Sequence, residues 1–174
     1  STDVDGGAPT YSISGGADAA LFNIDSTTGV VTFKTAPNFE APSDSGADNV
    51  YNITVQADDG LGGITTQNVA ITVTNVNEAP TITSASSVSV AENQTAALTV
   101  TSTDVDGGAP TYSISGGADA ALFNINATTG VVTFKTAPNF EAPSDSGADN
   151  VYNITVQADD GLGGITRSEE HTSE

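Results

Sequence analysis

The chain of 174 residues contains no cysteine, no tryptophan and no methionine. Without cysteine it cannot form the disulfides on which many small extracellular domains depend. If it is secreted, another device must make it rigid, and a bound metal ion is one candidate. Hydrophobic residues account for 37% of the chain. A packed core is therefore expected, built from Phe, Leu, Ile, Val and Tyr.

Basic residues are almost absent, with three Lys and Arg against 22 Asp and Glu and a formal net charge of −19. This balance argues against nucleic acid and anionic membrane surfaces as partners, because both attract positive charge. It favours cations as partners. No apolar run approaches the length of about 18 residues that a spanning helix needs, so no direct membrane insertion is predicted.

The chain repeats itself with a period of 101 residues. The segment "STDVDGGAPTYSISGG" begins at residue 1 and again at residue 102, and residues 1–65 and 102–166 differ only at Asp25/Asn126 and Ser26/Ala127. A period of this length predicts an array of whole domains. The polar, Pro-containing stretch "TNVNEAPTI" at 74–82 is typical of a linker. We therefore predict a repeat over 1–77 that lacks its first two strands and a repeat over 78–166 that lacks its last strand.

Within each repeat, apolar residues alternate with small or polar ones. The runs "SVSVAEN", "AALTVTSTD", "TYSISGG", "GVVTFKT", "VYNITVQAD" and "NVAITVTNV" have this period of two, and "LFNI" is a further short candidate. Turn signals such as "DGGAP" and "DDGLGG" separate the runs. The pattern predicts an all-β fold of tandem antiparallel β-sandwiches of immunoglobulin-like size, with seven strands in a complete unit.

The tail "RSEEHTSE" at 167–174 departs from this pattern. The first copy continues as "TQNVAITVTNV" at the matching place, whereas the second continues as a charged string without a strand pattern. The tail resembles the in-frame translation of a sequencing-library adapter. We therefore interpret it as an artefact tail and expect it to be disordered or loosely placed.

Candidate functional residues are carboxylates. Outside the tail there is no His, Arg or Cys, so a nucleophile would lack a His base and we predict that the chain is not an enzyme. A glycosidase-like carboxylate pair is conceivable but disfavoured. The acidic residues collect where strands end, and hard oxygen ligands around turns are what Ca²⁺ requires. The alternative is that these Asp residues only form turns.

The acidic residues stand in short motifs: "DVD" at 3–5 and 104–106, "NFE" at 38–40 and 139–141, and "AEN" at 91–93. These motifs resemble those of the cadherin repeat in its bacterial form. "AEN" matches the family's "xEN", "DVD" matches "DxD", and "NFE" stands where the family has "DRE". "QADDG" holds the late aspartate, and "NVNEAP" stands for the linker "DxNDNxP". The linker departs at Asn75, Glu78 and Ala79, which implies fewer or weaker ions. The resemblance implies a Greek-key sandwich.

The resemblance also implies which residues hold Ca²⁺ between successive domains. At the one junction within this chain, the ligands implied are Glu40, the backbone carbonyl of Asn77, Glu78, Asp104, Asp106 and Asp160. The other residues would serve junctions with further repeats: Asp3, Asp5 and Asp59 with a preceding one, Glu92 and Glu141 with a following one.

The function implied is that of a calcium-rigidified repeat of a bacterial extracellular adhesin, acting in cell adhesion or as a spacer at the cell surface. Its partners would be the adjacent repeats, through Ca²⁺, and another surface protein or glycan. The alternative is a glycan-binding accessory domain of a secreted enzyme. An aromatic platform would favour that alternative, but Tyr11, Phe22, Phe33, Phe39 and Tyr51 lie on alternating runs and are expected in the core.

Overall fold

The computed structural model describes residues 8–173 and divides the chain into two compact units, Ser1–Val76 and Asn77–Glu174. Almost all regular structure in both units is β-strand; the exceptions are two single 3-10 turns, Ala19–Leu21 and Ala120–Leu122. The predicted all-β fold is confirmed. None of the helices in the described part of the chain is long and apolar enough to cross a membrane.

Unit 1 consists of a three-stranded antiparallel sheet and a separate hairpin. The sheet has the order β1-β4-β5 and the hairpin pairs β2 with β3. Alternating apolar residues make these strands amphipathic, and their inward faces meet in a core around Phe22, Tyr51 and Ile53. The strands are β1 (Thr10–Gly15), β2 (Phe22–Ile24), β3 (Val31–Phe33), β4 (Val50–Asp58) and β5 (Ile64–Thr72).

Unit 2 has the same strands and further ones that precede them. Its sheets have the orders β10-β13-β14-β7 and β11-β12-β8, with a short pair β6-β9. Seven strands have three or more residues, as predicted for a complete unit, and β6 and β9 have two residues each. The strands are β6 (Thr81–Ile82), β7 (Ser87–Ser89), β8 (Ala96–Thr99), β9 (Ser102–Thr103), β10 (Thr111–Gly116), β11 (Phe123–Ile125), β12 (Val131–Phe134), β13 (Val151–Asp159) and β14 (Ile165–Ser173).

Aromatic side chains form the centre of each core. Phe22, Phe33 and Tyr51 meet with ring centroids 4.4 to 6.0 Å apart, and Phe33 and Tyr51 are edge to face at 86°. Such pairs contribute roughly 0.5–1.5 kcal/mol beyond their buried area. Unit 2 repeats the arrangement. Phe22, Phe33 and Tyr51 are therefore core residues as expected, and Tyr11 is part-buried. The expectation is wrong for Phe39, which is 37% exposed because it lies in the loop between β3 and β4 rather than on a strand.

The two cores differ although their sequences are nearly identical. Val132 and Val156 are fully buried, whereas their counterparts Val31 and Val55 are only half-buried. For Val132 the cause is β8, which pairs with β12 and places Leu98 opposite Val132. Among the described residues of unit 1, no strand takes the position of β8 or β7. Covering strands, rather than the core residues themselves, determine how much apolar surface is buried.

The expectation that the segment after residue 166 has no strand and is loosely placed is wrong for residues 167–173. These residues belong to β14, which pairs with β13 from Val151↔Ser173 to Asp159↔Ile165 and runs parallel to β7. The physical reason is that the open edge of β13 offers backbone hydrogen bonds that any sequence can use. Whether the segment derives from an adapter is not tested by its fold and stays a prediction.

This strand fits its position poorly. Glu170 is 1% exposed and Thr172 is fully buried, and none of their side-chain oxygens has a hydrogen-bond partner among the described residues. Burial raises the pKa of Glu170, an effect that nearby Ser168 and His171 only partly oppose. The folded unit therefore favours the protonated acid. Its contribution to stability is present below the ordinary pKa of Glu, about 4.3, and is lost as pH rises through the raised value.

We expect β3 to exchange its amide hydrogens faster than β12. Phe134 donates its N–H to the carbonyl of Thr95 at 2.8 Å, and a residue matching Thr95 in unit 1 would precede residue 1. The measurement is hydrogen exchange with mass spectrometry. Only the fragments "LFNIDSTTGVVTF" and "LFNINATTGVVTF" among the repeated ones differ in mass, through Asp25/Asn126 and Ser26/Ala127, so they report the two units separately.

The unit 2 fragment is the built-in control, because the two fragments have the same sequence apart from two exposed positions. Each 1.4 kcal/mol of lost local stability corresponds to about a tenfold faster exchange. Equal or slower exchange of the unit 1 fragment would contradict the assignment of extra protection to β8.

Candidate metal site

Acidic side chains converge at one pole of unit 2, where the start of the unit meets two loops. Glu78 donates its backbone N–H to Oδ2 of Asp106 at 2.8 Å, and Asp106 in turn donates its N–H to Oδ1 of Asp104 at 3.0 Å. Carboxylate oxygens of Glu78 and Asp106 lie within 4.8 Å of each other. The turn "DVDGG" between β9 and β10 thus presents its two aspartates to the segment that leads into β6.

The loop between β13 and β14 brings Asp160 to the same pole. Asp160 accepts backbone N–H bonds from Leu162 and Gly164 through Oδ1 at 2.7 and 3.0 Å. Its Oδ2 accepts a bond from the Asn77 side-chain amide at 2.7 Å. Oδ1 of this aspartate is therefore held by its own loop, and Oδ2 is held by the first residue of the unit.

Gly164 is required for this approach. A Cβ at this position would lie 2.2 Å from Oδ2 of Asp160 and 2.8 Å from the carbonyl oxygen of Glu78. Both distances are too short for any side chain, and backbone is one of the obstacles. The glycines of "DDGLGG" consequently do more than turn the chain, because Gly164 lets the loop and the Glu78 segment come together.

Hydrogen bonds hold the pKa of Asp160 below its ordinary value. The largest cause is the Asn77 side-chain amide, followed by the backbone N–H of Leu162; partial burial opposes them. A lowered pKa means that the folded unit favours the carboxylate. Its contribution to stability is present above the ordinary pKa of Asp, about 3.9, and is lost as pH falls through the lowered value.

The donor set fits a hard cation. Carboxylate oxygens of Glu78 and Asp106 lie together at this pole, and carboxylate oxygens are the ligands that Ca²⁺ prefers. Ligation by Asp104 and Asp160 stays a prediction. The lysine of unit 2, Lys135, donates instead to the carbonyl of Ala121 at 2.7 Å. Close carboxylates repel one another in the absence of a positive partner. The Asn77 side chain has a described role at Asp160, whereas ligation by its backbone carbonyl stays a prediction.

The remaining two predicted ligands of unit 2, Glu92 and Glu141, lie at its other pole, where one contacts and the other belongs to the loop after β12. Glu92 accepts the N–H of Phe140 through Oε2 at 3.2 Å, and Asn93 donates its N–H to the carbonyl of Pro138 at 2.9 Å. Glu141 follows in the same loop, where its N–H is bonded to Oδ1 of Asn139 at 3.0 Å. The "AEN" and "NFE" motifs are therefore neighbours in the fold.

In unit 1 the structure describes two of the four predicted ligands. Asp59 accepts N–H bonds from Leu61 and Gly63, both at 2.8 Å, as Asp160 does in unit 2. Glu40 is exposed, with its N–H bonded to Oδ1 of Asn38 at 2.9 Å. Asp3 and Asp5 lie outside the described residues.

A second class of aspartates, which was not predicted from the sequence, is buried and structural. Asp119 is 3% exposed and accepts backbone N–H bonds from Ser146 and Asn153, both at 2.7 Å. Asp145, 6% exposed, accepts such bonds from Asp149 and Asn150 at 3.1 Å. Both residues anchor the long loop before β13. No pattern in the sequence distinguishes them from the aspartates at the poles.

Comparison with known proteins places these observations in a family. The model of the cadherin domain matches residues 86–173, slightly more than half of the chain. No curated protein sequence matches. The solved structure of the EC1-2 repeats of human protocadherin-24 is similar over 98% of this chain and 83% of that one, with 21% identity and a TM-score of 0.64. Repeats EC22-24 of mouse cadherin-23 are similar over 98% and 55%, with 21% identity and a TM-score of 0.59.

We expect Asn77→Ala to raise the pKa of Asp160 toward its ordinary value, because the substitution removes the largest cause of the shift. The measurement is a carboxyl-carbon NMR titration in metal-free buffer with a chelator. Asp59 is the internal control, since its pKa is lowered first by the Leu61 N–H and then by the Gly63 N–H, which Asn77→Ala leaves intact. An unchanged Asp160, or a parallel shift of both aspartates, would contradict the contact.

Proposed function

Because the chain belongs to the cadherin family, whose domains generally bind Ca²⁺ and serve adhesion, we propose that it is a calcium-binding, calcium-rigidified repeat of a bacterial extracellular adhesin. It acts in cell adhesion or as a spacer. The observation that carries the proposal is the convergence of Glu78, Asp104, Asp106 and Asp160 at one pole of unit 2.

The local hydrogen bonds support a binding role over a purely turn-forming one. An aspartate that only forms a turn needs its own loop, as Asp145 does with Asp149 and Asn150. Asp106 and Asp160 instead reach residues at the start of the unit, 28 and 83 positions away in the sequence. Asp119 also has distant partners, but it is buried, whereas Asp106 and Asp160 stay partly exposed. Three segments are thereby brought to one place, and each presents carboxylate oxygens.

The chain's own residues determine where a cation would be held. The N–H of Glu78 and the Asn77 amide orient Asp106 and Asp160. A bound Ca²⁺ would supply the positive charge that offsets their mutual repulsion. The assignment of Glu40 as a further ligand follows the family pattern. The same pattern assigns the remaining residues to junctions with further repeats, namely Asp3, Asp5, Asp59, Glu92 and Glu141.

The same family supports an adhesive rather than a catalytic role. Cadherin domains are adhesion modules of extracellular proteins, so the partners proposed are adjacent repeats, through Ca²⁺, and a further surface protein or glycan. An origin on the bacterial cell surface is supported by the motif pattern and the acidic composition. A glycan-binding accessory domain gains no support, because Phe22, Phe33 and Tyr51 pack against one another in the core and form no exposed aromatic platform.

We expect Asp106→Asn to weaken Ca²⁺ binding by about tenfold or more, which corresponds to about 1.4 kcal/mol. Asparagine keeps an oxygen that can accept the Glu78 N–H, so the substitution removes charge while it preserves the local fold. The measurement is calorimetric titration of the whole chain with Ca²⁺.

The matched control is Glu169→Gln, which removes one negative charge at an exposed position in the middle of β14. It should leave the affinity within about twofold, as expected for a screened surface charge. No binding at millimolar Ca²⁺, or equal losses from Asp106→Asn and Glu169→Gln, would refute the metal site.

The rigidifying role predicts a change of shape with Ca²⁺. Without the ion, repulsion among the carboxylates should leave the array of repeats flexible; with it, shared coordination should stiffen the array. Small-angle scattering should therefore report a larger mean maximum dimension in Ca²⁺ than in chelator, with a narrower spread of values. Asp106→Asn should shift this response to higher Ca²⁺, and an identical distribution in both buffers would contradict the spacer role.

A further inference from the structure

The strand position of β14 is the same in both units, but the strands that fill it are not. The strands β4 and β13 have the identical sequence "VYNITVQAD". β5 pairs with β4 from Val50↔Thr72 to Asp58↔Ile64, and β14 pairs with β13 in the same register, offset by 101 residues. Two identical surfaces therefore receive two different strands, which allows the strands to be compared position by position.

The comparison isolates two inward-facing positions. In unit 1 they hold Val69 and Ile71, which pack against the core. In unit 2 they hold Glu170 and Thr172, which are buried and leave three side-chain oxygens without a hydrogen-bond partner among the described residues. Burying an unpaired polar or charged group is unfavourable, whereas burying Val and Ile is favourable. The surface of unit 2 is therefore better matched to β5 than to its own strand.

The neighbouring strands of β5 and β14 also favour β5 in the position of β14. β5 is at the edge of the sheet β1-β4-β5, so one side of it has no strand partner among the described residues. β14 lies between β13 and β7 and forms pairs with both. A β5 strand in the position of β14 would gain a second neighbour. The core that it would leave behind contains three buried residues, against seven in unit 2.

We propose that unit 2 is an acceptor for a β-strand, and that its occupant is the β5 segment of a second copy of this chain, which replaces β14 between β13 and β7. The recognition is by backbone pairing along β13 together with two apolar side chains at the positions of Glu170 and Thr172. In chains that carry this β14 sequence, the result is association of copies by strand exchange, which requires no metal.

The first test uses synthetic peptides and the whole chain, refolded from denaturant in chelator. The peptide "ITTQNVAITVT", residues 64–74, should be incorporated, and the same peptide with Val69→Glu and Ile71→Thr should be incorporated on the order of tenfold less. Fluorescence anisotropy of labelled peptides measures both. Equal uptake of the two peptides, or uptake of neither, would overturn the proposal.

The acceptor provides a second control. In the variant Glu170→Val/Thr172→Ile, β14 carries the same inward residues as β5, so it should hold its position and reduce peptide uptake on the order of tenfold. Undiminished uptake by this variant would show that the peptide binds somewhere other than the β14 position, which would overturn the proposal.

The second test asks whether another copy supplies the strand. The chain has no cysteine, so single cysteines can be introduced without interference. Asn68 faces Thr54 in the pairing of β5 with β4, and the matching position on β13 is Thr155, which now faces Glu169. Asn68 should therefore face Thr155 only after exchange.

A mixture of Asn68→Cys and Thr155→Cys chains should form a mixed disulfide after refolding in chelator and oxidation. Gln67→Cys is the matched control, because adjacent residues of a strand point to opposite faces. The disulfide should decrease when the Thr155→Cys chain also carries Glu170→Val/Thr172→Ile. If the Asn68→Cys chain gives no more mixed disulfide than the Gln67→Cys chain, the assignment of the occupant is overturned. That outcome would leave the proposed metal site standing, because the calorimetric titration tests that site separately.

Discussion

Antiparallel pairing along β13 is the interaction on which unit 2 depends most. This strand lies between β10 and β14, supplies Tyr152, Ile154 and Val156 to the core, and ends at Asp159, next to the Asp160 loop. Its register therefore fixes both the packing and the position of an acidic group. A shift by one residue would turn the core side chains toward solvent and move Asp160 away from Asn77.

Much of this arrangement follows from the sequence because alternation with a period of two is a strong signal. The all-β fold and nearly every strand could be predicted, whereas metal ligation by Glu78, Asp104, Asp106 and Asp160 stays a prediction. Two features could not. Asp119 and Asp145 are buried through backbone contacts that no local pattern encodes, and β14 forms because pairing with the edge of β13 outweighs an unsuitable sequence. Both depend on tertiary surroundings rather than on local preference.

The near-identity of the repeats separates sequence from context. Val31 and Val132 occupy the same place in the same local sequence, yet only Val132 is fully buried, because β8 lies beside it. Likewise Val69 and Glu170 occupy the same place on identical neighbouring strands, yet one fits the core and the other does not. Burial is therefore a property of the position, and the free energy depends on which side chain occupies that position.

The proposed metal site and the proposed strand exchange involve one loop. Gly164, the residue before β14, donates its N–H to Asp160 and leaves room for the Glu78 segment. If β14 departs, this loop loses its anchor and Asp160 loses part of its orientation. A cation that binds the ordered loop better than the released one must oppose the departure of β14 by that same difference in free energy. Calcium and strand exchange would then be antagonistic, so copies of the chain would associate most readily where Ca²⁺ is scarce.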